Sequence, residues 1–141
     1  MVQYFATAKN QHHNIIKPLV GRLIQCAKVQ SKSIEILINC DSGKHNNCDK
    51  AEWESVLRSG VDKLVVSDNI HELRAYNKLA GIAKGNFFIM LQDDRLPSLK
   101  DPMCKWMADI HGAFEAHPEI ACVGINDILV SEILRSLRCA S

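Results

Sequence analysis

In the segment FFIMLQDDRLP, residues 87–97, a continuous apolar run is followed by an amide, two adjacent carboxylates and an arginine. The segment ends at Pro97. Its apolar part predicts a buried β-strand over residues 87–91. Two carboxylates side by side repel each other unless a cation or strong hydrogen-bond donors neutralise them. The segment therefore has two interpretations: a strand that delivers Asp93 and Asp94 to a metal, or a solvated loop in which Arg95 supplies the counter-charge.

Strand and helix patterns alternate along the whole chain. Runs rich in β-branched and aromatic residues predict strands over residues 2–7, 34–40, 61–67 and 87–91. Apolar residues three or four positions apart predict helices over residues 15–27, 51–58, 71–84 and 101–117. Pro18 falls in the first turn of the first helix, and Gly85 follows the third as its closing residue. Four such alternations predict an α/β fold, a three-layer αβα sandwich with a mainly parallel sheet.

Composition indicates a globular protein and excludes several classes of partner. The chain has 141 residues, 47% of them apolar and 23% charged, with a net charge of +1. So small a net charge does not attract nucleic acid electrostatically, and no basic run has interleaved aromatic residues. Neither a signal peptide nor an apolar run long enough for a membrane span is predicted, so we expect a cytoplasmic location.

The cysteines predict neither a zinc ribbon nor a thioredoxin-type site. Six of them occur, at positions 26, 40, 48, 104, 122 and 139, without a CxxC pair or a regular spacing. We expect reduced thiols in half-buried positions.

Polar residues follow three of the four predicted strands. They are the segment Thr7–Asn10, the turn Asp41-Ser42-Gly43, and Gln92-Asp93-Asp94. In a parallel sheet, ligands bind outside the carboxyl ends of the strands, where these loops meet. Position as well as residue type therefore makes them candidates for a binding site.

The order of these pieces resembles the nucleotide-sugar-binding half of the GT-A glycosyltransferases, in particular the family 2-like inverting enzymes. The resemblance covers residues 2–124. It is carried by five segments: FATAKN (5–10), EILINCDSG (35–43), ELRAYNKLAGIAKG (72–85), FFIMLQDDRLP (87–97) and HPEIACVG (117–124).

The resemblance implies a donor site for a nucleoside diphosphate sugar. The residues that it assigns to nucleotide-sugar binding are Thr7, Ala8, Asn10, Asp41, Arg74, Asn77 and Asp93. Asp93 and Asp94 take the place of the family's DxD-type acids, which implies that they hold Mn²⁺ or Mg²⁺ together with the diphosphate. Asn77 has a second interpretation, as a structural residue that ties its helix to the neighbouring loop.

Two departures from the family limit what the resemblance implies. Gln92 stands where the family commonly has an acid, which predicts weaker metal binding. The chain also ends soon after the expected return strand, so the acceptor-binding half is missing and the catalytic base is unassigned. We expect a nucleotide-sugar-binding domain over residues 1–126 and a helical tail over residues 127–141.

Three hypotheses remain open from the sequence. The first is a metal-dependent, inverting glycosyltransferase that moves a sugar from a nucleoside diphosphate to an acceptor hydroxyl. The second is a truncated nucleotide-sugar-binding module of weak or absent activity. The third is a structural α/β domain without a ligand. Under the first two, a partner chain or oligomer could cover the missing acceptor half.

Overall fold

A computed structural model of the protein describes residues 1–5, 17–41, 48–92 and 100–120. The strands in these ranges are β1 (Val2–Phe5), β2 (Leu37–Asp41), β3 (Lys63–Ser67) and β4 (Leu91–Gln92). The helices are α1 (Lys17–Val29), α2 (Lys50–Glu54), α3 (His71–Ala80) and α4 (Lys105–Ala116). The chain forms two compact units, residues 1–25 with 33–98, and residues 26–32 with 99–141.

The first unit contains a parallel sheet. Its four described strands lie in the order β3-β2-β1-β4, and each neighbouring pair is parallel. Val2 pairs with Ile38 on one side and with Leu91 on the other, which fixes the register of the three strands. Helices connect the successive strands, so the predicted α/β class and the parallel sheet are confirmed.

Strand β2 is the best-covered strand of this sheet. All five of its residues are buried, and successive side chains of a strand point to opposite faces. Both faces of β2 are therefore covered, which explains why its sequence is almost continuously apolar. The helices of this unit contribute further buried side chains, from α1 (Leu19, Val20, Leu23), α2 (Trp53) and α3 (Ala75, Tyr76, Leu79).

The predicted position of the fourth strand is wrong. Of residues 87–91, only Leu91 lies in β4, which continues to Gln92. The Met1 carbonyl accepts the Leu91 N–H at 2.9 Å, and the pairing of β4 with β1 begins at Leu91. Residues 87–90 lie before this pairing, and Phe87 and Phe88 are each 48% exposed.

Helix α3 is shorter than its sequence pattern predicts. It ends at Ala80, with Gly81 rather than Gly85 as the capping residue. The Glu35 carboxylate accepts the backbone N–H groups of Lys84 and Gly85, which holds that segment outside the helix. Leu73 has helical spacing from the buried Tyr76 but is itself 80% exposed.

An ion pair between Arg58 and Asp62 lies at the amino-terminal edge of the sheet. Arg58 donates from Nε to Asp62 Oδ2 at 2.9 Å and from Nη2 to Asp62 Oδ1 at 2.7 Å. The same carboxylate accepts the backbone N–H groups of Ile36, at 2.8 Å, and Arg58, at 2.9 Å. Burial alone would raise the pKa of Asp62, but these hydrogen bonds and the guanidinium charge lower it below its ordinary value.

The prediction of reduced cysteines is wrong for four of the six. Disulfides join Cys40 to Cys48 in the first unit and Cys26 to Cys104 in the second. Cysteine connectivity between distant positions cannot be deduced from spacing alone, which is why the sequence did not predict them.

The second unit is organised around α4. Its buried side chains are Cys26, Ala27, Cys104, Trp106, Met107, Ile110 and Ala113. Besides the disulfide, a hydrogen bond from Gln30 Nε2 to the Met103 carbonyl at 2.5 Å joins the two parts of the unit. Trp106 is buried here, as Trp53 is in the first unit, so both tryptophans are core residues.

The predictions for the carboxyl-terminal part of the chain fall at or beyond the end of the described ranges. Residues 117–120 of the expected return strand are not in a strand, and residues 121–124 lie outside the described residues. The predicted domain boundary at residue 126 and the tail over residues 127–141 also lie outside them. A search of the described ranges found no helix with the length and apolar character needed to cross a membrane.

Candidate functional site

The carboxyl-terminal edge of the sheet is where the sequence predicts the site. Because the described strands are parallel, β1, β2, β3 and β4 all end at this edge, at Phe5, Asp41, Ser67 and Gln92. The chain proceeds from β1 through β2 to β3 in one direction and then returns to place β4 on the other side of β1. Such a reversal of strand order is the switch point at which α/β sheets bind ligands.

Asp41 is a buried carboxylate at this edge. It is the last residue of β2 and is 6% exposed. Its Oδ2 accepts the backbone N–H of His71 at 3.1 Å, and its Oδ1 accepts the N–H of Ile70 at 3.4 Å. These are the first N–H groups of α3, whose own N-cap residue, Ile70, provides no side-chain hydrogen bond. Asp41 thus caps α3 from a neighbouring strand, where the helix dipole favours a negative charge.

Asn39 and Ser67 form a buried polar pair beside Asp41. Asn39 Nδ2 donates to Ser67 Oγ at 2.8 Å. Ser67 Oγ lies 3.1 Å from Asn39 Oδ1 and 3.5 Å from Asp41 Oδ1, and its single proton can be donated to either oxygen. Ser67 and Asp41 are direct partners in the β2–β3 register. The pair therefore links the middle of β2 to the carboxylate at its end.

The sequence analysis did not assign this pair. A signal was present, because an asparagine in the middle of an apolar strand must satisfy its amide when it is buried. Asn39 interrupts the run IEILINC in this way, and it is fully buried.

The turn that leads into α3 has an unusual backbone. Asn69 has φ 53° and His71 has φ 62°, both in the left-handed region that residues other than glycine seldom adopt. The hydrogen bonds from the Ile70 and His71 N–H groups to Asp41 hold this turn in place. Backbone outliers of this type cluster at functional sites, where the surrounding structure stabilises them.

Arg74 and Asn77 lie on the exposed side of α3. The opposite side buries Ala75, Tyr76 and Leu79. The Tyr76 hydroxyl donates to the Leu91 carbonyl at 2.8 Å and thereby fastens α3 to β4. Arg74 therefore stands one turn after the capped end of the helix, with its side chain open to solvent.

Five predicted site residues lie outside the described residues. They are Thr7, Ala8, Asn10, Asp93 and Asp94. In sequence, the first three follow β1 and the last two follow β4 directly, and these are the two strands that flank the switch point. Gln92, the departure from the family pattern, belongs to β4 itself and is the register partner of Gln3.

The described residues do not supply a metal site. Within ranges 1–5, 17–41, 48–92 and 100–120, no group of three or more histidine, cysteine or acidic side chains could hold a metal ion. Asp41, the acid nearest to the switch point among them, already accepts hydrogen bonds from α3. The predicted metal site thus depends on Asp93 and Asp94.

Comparison with known proteins gives no relative: no protein-family model, curated protein or solved structure matches the chain.

Proposed function

We propose that the chain is a GT-A-type domain that binds the nucleoside diphosphate part of a sugar nucleotide at the carboxyl edge of its sheet. The observation that carries this proposal is Asp41, a buried carboxylate at the end of β2, beside the switch point between β1 and β4. A buried acid at that edge matches the acidic turn from which the resemblance to these glycosyltransferases takes its nucleoside contact.

A three-layer arrangement is part of this proposal. Connections between parallel strands are right-handed in almost all proteins. Applied to the order β3-β2-β1-β4, this rule puts α1 and α2 on one face of the sheet and α3 on the other. The burial of all five residues of β2 supports helices on both faces.

Asp41 accepts the N–H groups of Ile70 and His71, and these hydrogen bonds fix the orientation of its carboxylate. A nucleoside offers N–H and O–H donors. Asp41 would accept one of these donors, and its charge would be oriented by the turn that it stabilises.

Transfer of the sugar is the second part of the proposal. An acceptor hydroxyl would attack the anomeric carbon as the nucleoside diphosphate leaves, with a carboxylate as general base. No residue is assigned to that base. Mn²⁺ or Mg²⁺ on Asp93 and Asp94 is the expected cofactor, but because these residues lie outside the described ranges we derive no step through the metal.

Titration with UDP and GDP, with and without Mn²⁺, tests the binding. We expect metal-dependent binding that is about tenfold weaker in Asp41→Asn, because the loss of one charged hydrogen bond has roughly that effect. Asp49→Asn is the matched control, since Asp49 caps α2 through the Glu52 N–H at 3.1 Å. Equal affinities in both variants and the wild type would remove Asp41 from the site, and no nucleotide binding at all would refute the proposal.

The alternative is a binding module without transferase activity. It is favoured by the described residues themselves, among which no catalytic base is assigned and no group of three or more histidine, cysteine or acidic side chains could hold a metal ion. Incubation of a labelled sugar nucleotide with the protein separates the two: release or transfer of the sugar supports an enzyme, and binding without turnover supports the module.

A further inference from the structure

The Cys40–Cys48 disulfide lies next to the candidate site. Cys40 is the residue before Asp41 in β2, and its register partners are Tyr4 of β1 and Val66 of β3. Cys48 directly precedes Asp49, whose carboxylate caps α2. The disulfide therefore links the end of β2 covalently to the start of α2. Asp41 directly follows one of its two cysteines.

Hydrogen bonds extend this connection to α3. Asp41 accepts the N–H groups of Ile70 and His71, which belong to the turn with left-handed residues. A constraint on the chain around Asp41 thus also constrains the N-terminus of α3. A disulfide restricts the conformations open to the chain that it joins, and opening this one removes the covalent link between Cys40, next to Asp41, and Cys48.

The two cysteine residues differ in exposure. Cys40 has no exposed surface, whereas Cys48 is half-buried. Thiol–disulfide exchange requires a thiolate to reach one of the sulfurs. Attack is thus directed to Cys48, and Cys40 becomes the leaving group.

We infer that the Cys40–Cys48 disulfide is a redox switch for the candidate nucleotide site: the bridged form holds Asp41 on the N-terminus of α3, and the reduced form loosens it. The binding half of this inference rests on the proposed function, whereas the structural half does not. The reductant that it requires is a dithiol.

The reaction is two successive exchanges. One thiolate of the dithiol attacks Cys48 Sγ, the Cys40–Cys48 bond breaks, and Cys40 leaves as a thiolate that takes up a proton. The second thiol of the reductant then loses its proton and attacks the reductant sulfur bound to Cys48, which releases Cys48 as a thiolate that is protonated in turn. Two electrons pass from the dithiol, which becomes a cyclic disulfide, to the two cysteines.

The test compares two variants that each lose one disulfide. Cys48→Ser opens the bridge beside Asp41, and Cys104→Ser opens the Cys26–Cys104 bridge of the other unit. Amide hydrogen exchange at Ile70 and His71, followed by NMR, reports the hydrogen bonds to Asp41 directly. We expect exchange at these two amides to be about tenfold faster in Cys48→Ser, whereas Cys104→Ser changes it only in proportion to global stability.

Nucleotide binding is measured on the same samples with UDP, GDP and Mn²⁺. We expect about tenfold weaker binding in Cys48→Ser and in wild type reduced with dithiothreitol, and binding close to wild type in oxidised Cys104→Ser. If Cys48→Ser does not fold, wild type reduced in steps, with each bridge followed by mass spectrometry, gives the same comparison.

Unchanged exchange at Ile70 and His71 after the Cys40–Cys48 bridge is opened would overturn the inference. Faster exchange with unchanged nucleotide affinity would overturn its regulatory half. Faster exchange in a protein that binds no nucleotide in either redox state would support the structural half and refute the proposed function instead, so the two failures are distinguishable.

Discussion

Two buried aspartates, Asp62 and Asp41, mark the opposite edges of the same sheet, and their partners differ. The side chain of Asp62 has 0% exposed surface and receives a guanidinium and two backbone N–H groups at the amino edge. Asp41, at the carboxyl edge, receives the backbone N–H groups of a turn with left-handed residues and lies within reach of a hydroxyl.

The difference separates an edge that stabilises the fold from the edge that carries the proposed site. At the amino edge the charge of Asp62 is matched by Arg58, and the bidentate geometry uses both carboxylate oxygens. At the carboxyl edge the carboxylate stabilises a backbone conformation that is itself unfavourable. Parallel sheets bind ligands at the carboxyl edge, where strained turns are tolerated because they position groups for function.

The largest expected effect comes from breaking the amino edge. Asp62→Ala leaves Arg58 and the Ile36 N–H without the acceptor that they share. Loss of one partner of a buried, hydrogen-bonded pair costs about 3 kcal/mol, and part of the Arg58 side chain is exposed, so we expect about 2–3 kcal/mol in urea denaturation. Glu54→Ala, which breaks the exposed Lys50–Glu54 pair, is the control and should change stability by less than about 0.5 kcal/mol.

The pH dependence of Asp62 gives an independent check. Its pKa is lower in the folded protein than in the unfolded chain, so its stabilising contribution is present above the ordinary aspartate pKa and is lost as the pH falls through the folded value. At acidic pH, the free energy of unfolding should therefore decrease less steeply with falling pH in Asp62→Ala than in wild type. Parallel profiles for the two proteins would show that the ion pair does not stabilise the fold.

A smaller effect is expected from the amino group of Met1, which also lies at the amino edge. It donates to the Ile89 carbonyl at 2.6 Å. Burial lowers its pKa from 8.0 to about 6, and the Glu35 charge opposes this shift only in part. The unfolded chain binds more protons than the folded protein between these values, so stability should rise with pH across this window.

We expect a rise of about 1–2 kcal/mol from pH 6 to pH 8, less than the full value of the shift because the group is only half-buried. The measurement is urea denaturation at several pH values in buffers of equal ionic strength. Nα-acetylated protein is the control and should lack this rise. The same rise in acetylated protein would assign it to groups other than the Met1 amino group.

How far the sequence predicted these features depended on the distance between the residues involved. Apolar periodicity is local, and it predicted the helices, the strand–helix alternation and the parallel sheet. The Arg58–Asp62 pair is local as well, since the two residues are four positions apart and flank Ser59-Gly60, but the sequence analysis did not assign it. The cap that Asp41 provides for α3 spans about thirty residues and depends on the pairing of β2 with β3, so it could not be predicted.

The register of β4 against β1 explains why the predicted strand over residues 87–91 was wrong. Residues 87–90 have the composition of a strand, but a strand forms only where a partner lies alongside, and β1 pairs no earlier than Leu91. Disulfide connectivity is equally non-local, since Cys26 and Cys104 are 78 residues apart in sequence. Pattern predicts elements, whereas the contacts that position Asp41 arise only when the elements pack.

The smallest expected effect on stability is at the exposed face of α3, and it tests whether the carboxyl edge extends to Arg74. Arg74→Ala should change the free energy of unfolding by less than about 0.5 kcal/mol, because the side chain is exposed. If Arg74 contacts the diphosphate, UDP binding should weaken about tenfold, the usual effect of losing one charged hydrogen bond. Lys78→Ala is the matched control, since Lys78 is exposed one turn further along the helix. Equal weakening in both variants would indicate general attraction of the basic helix face for the nucleotide, whereas weakening only in Arg74→Ala would assign the contact to the end of α3 that Asp41 caps.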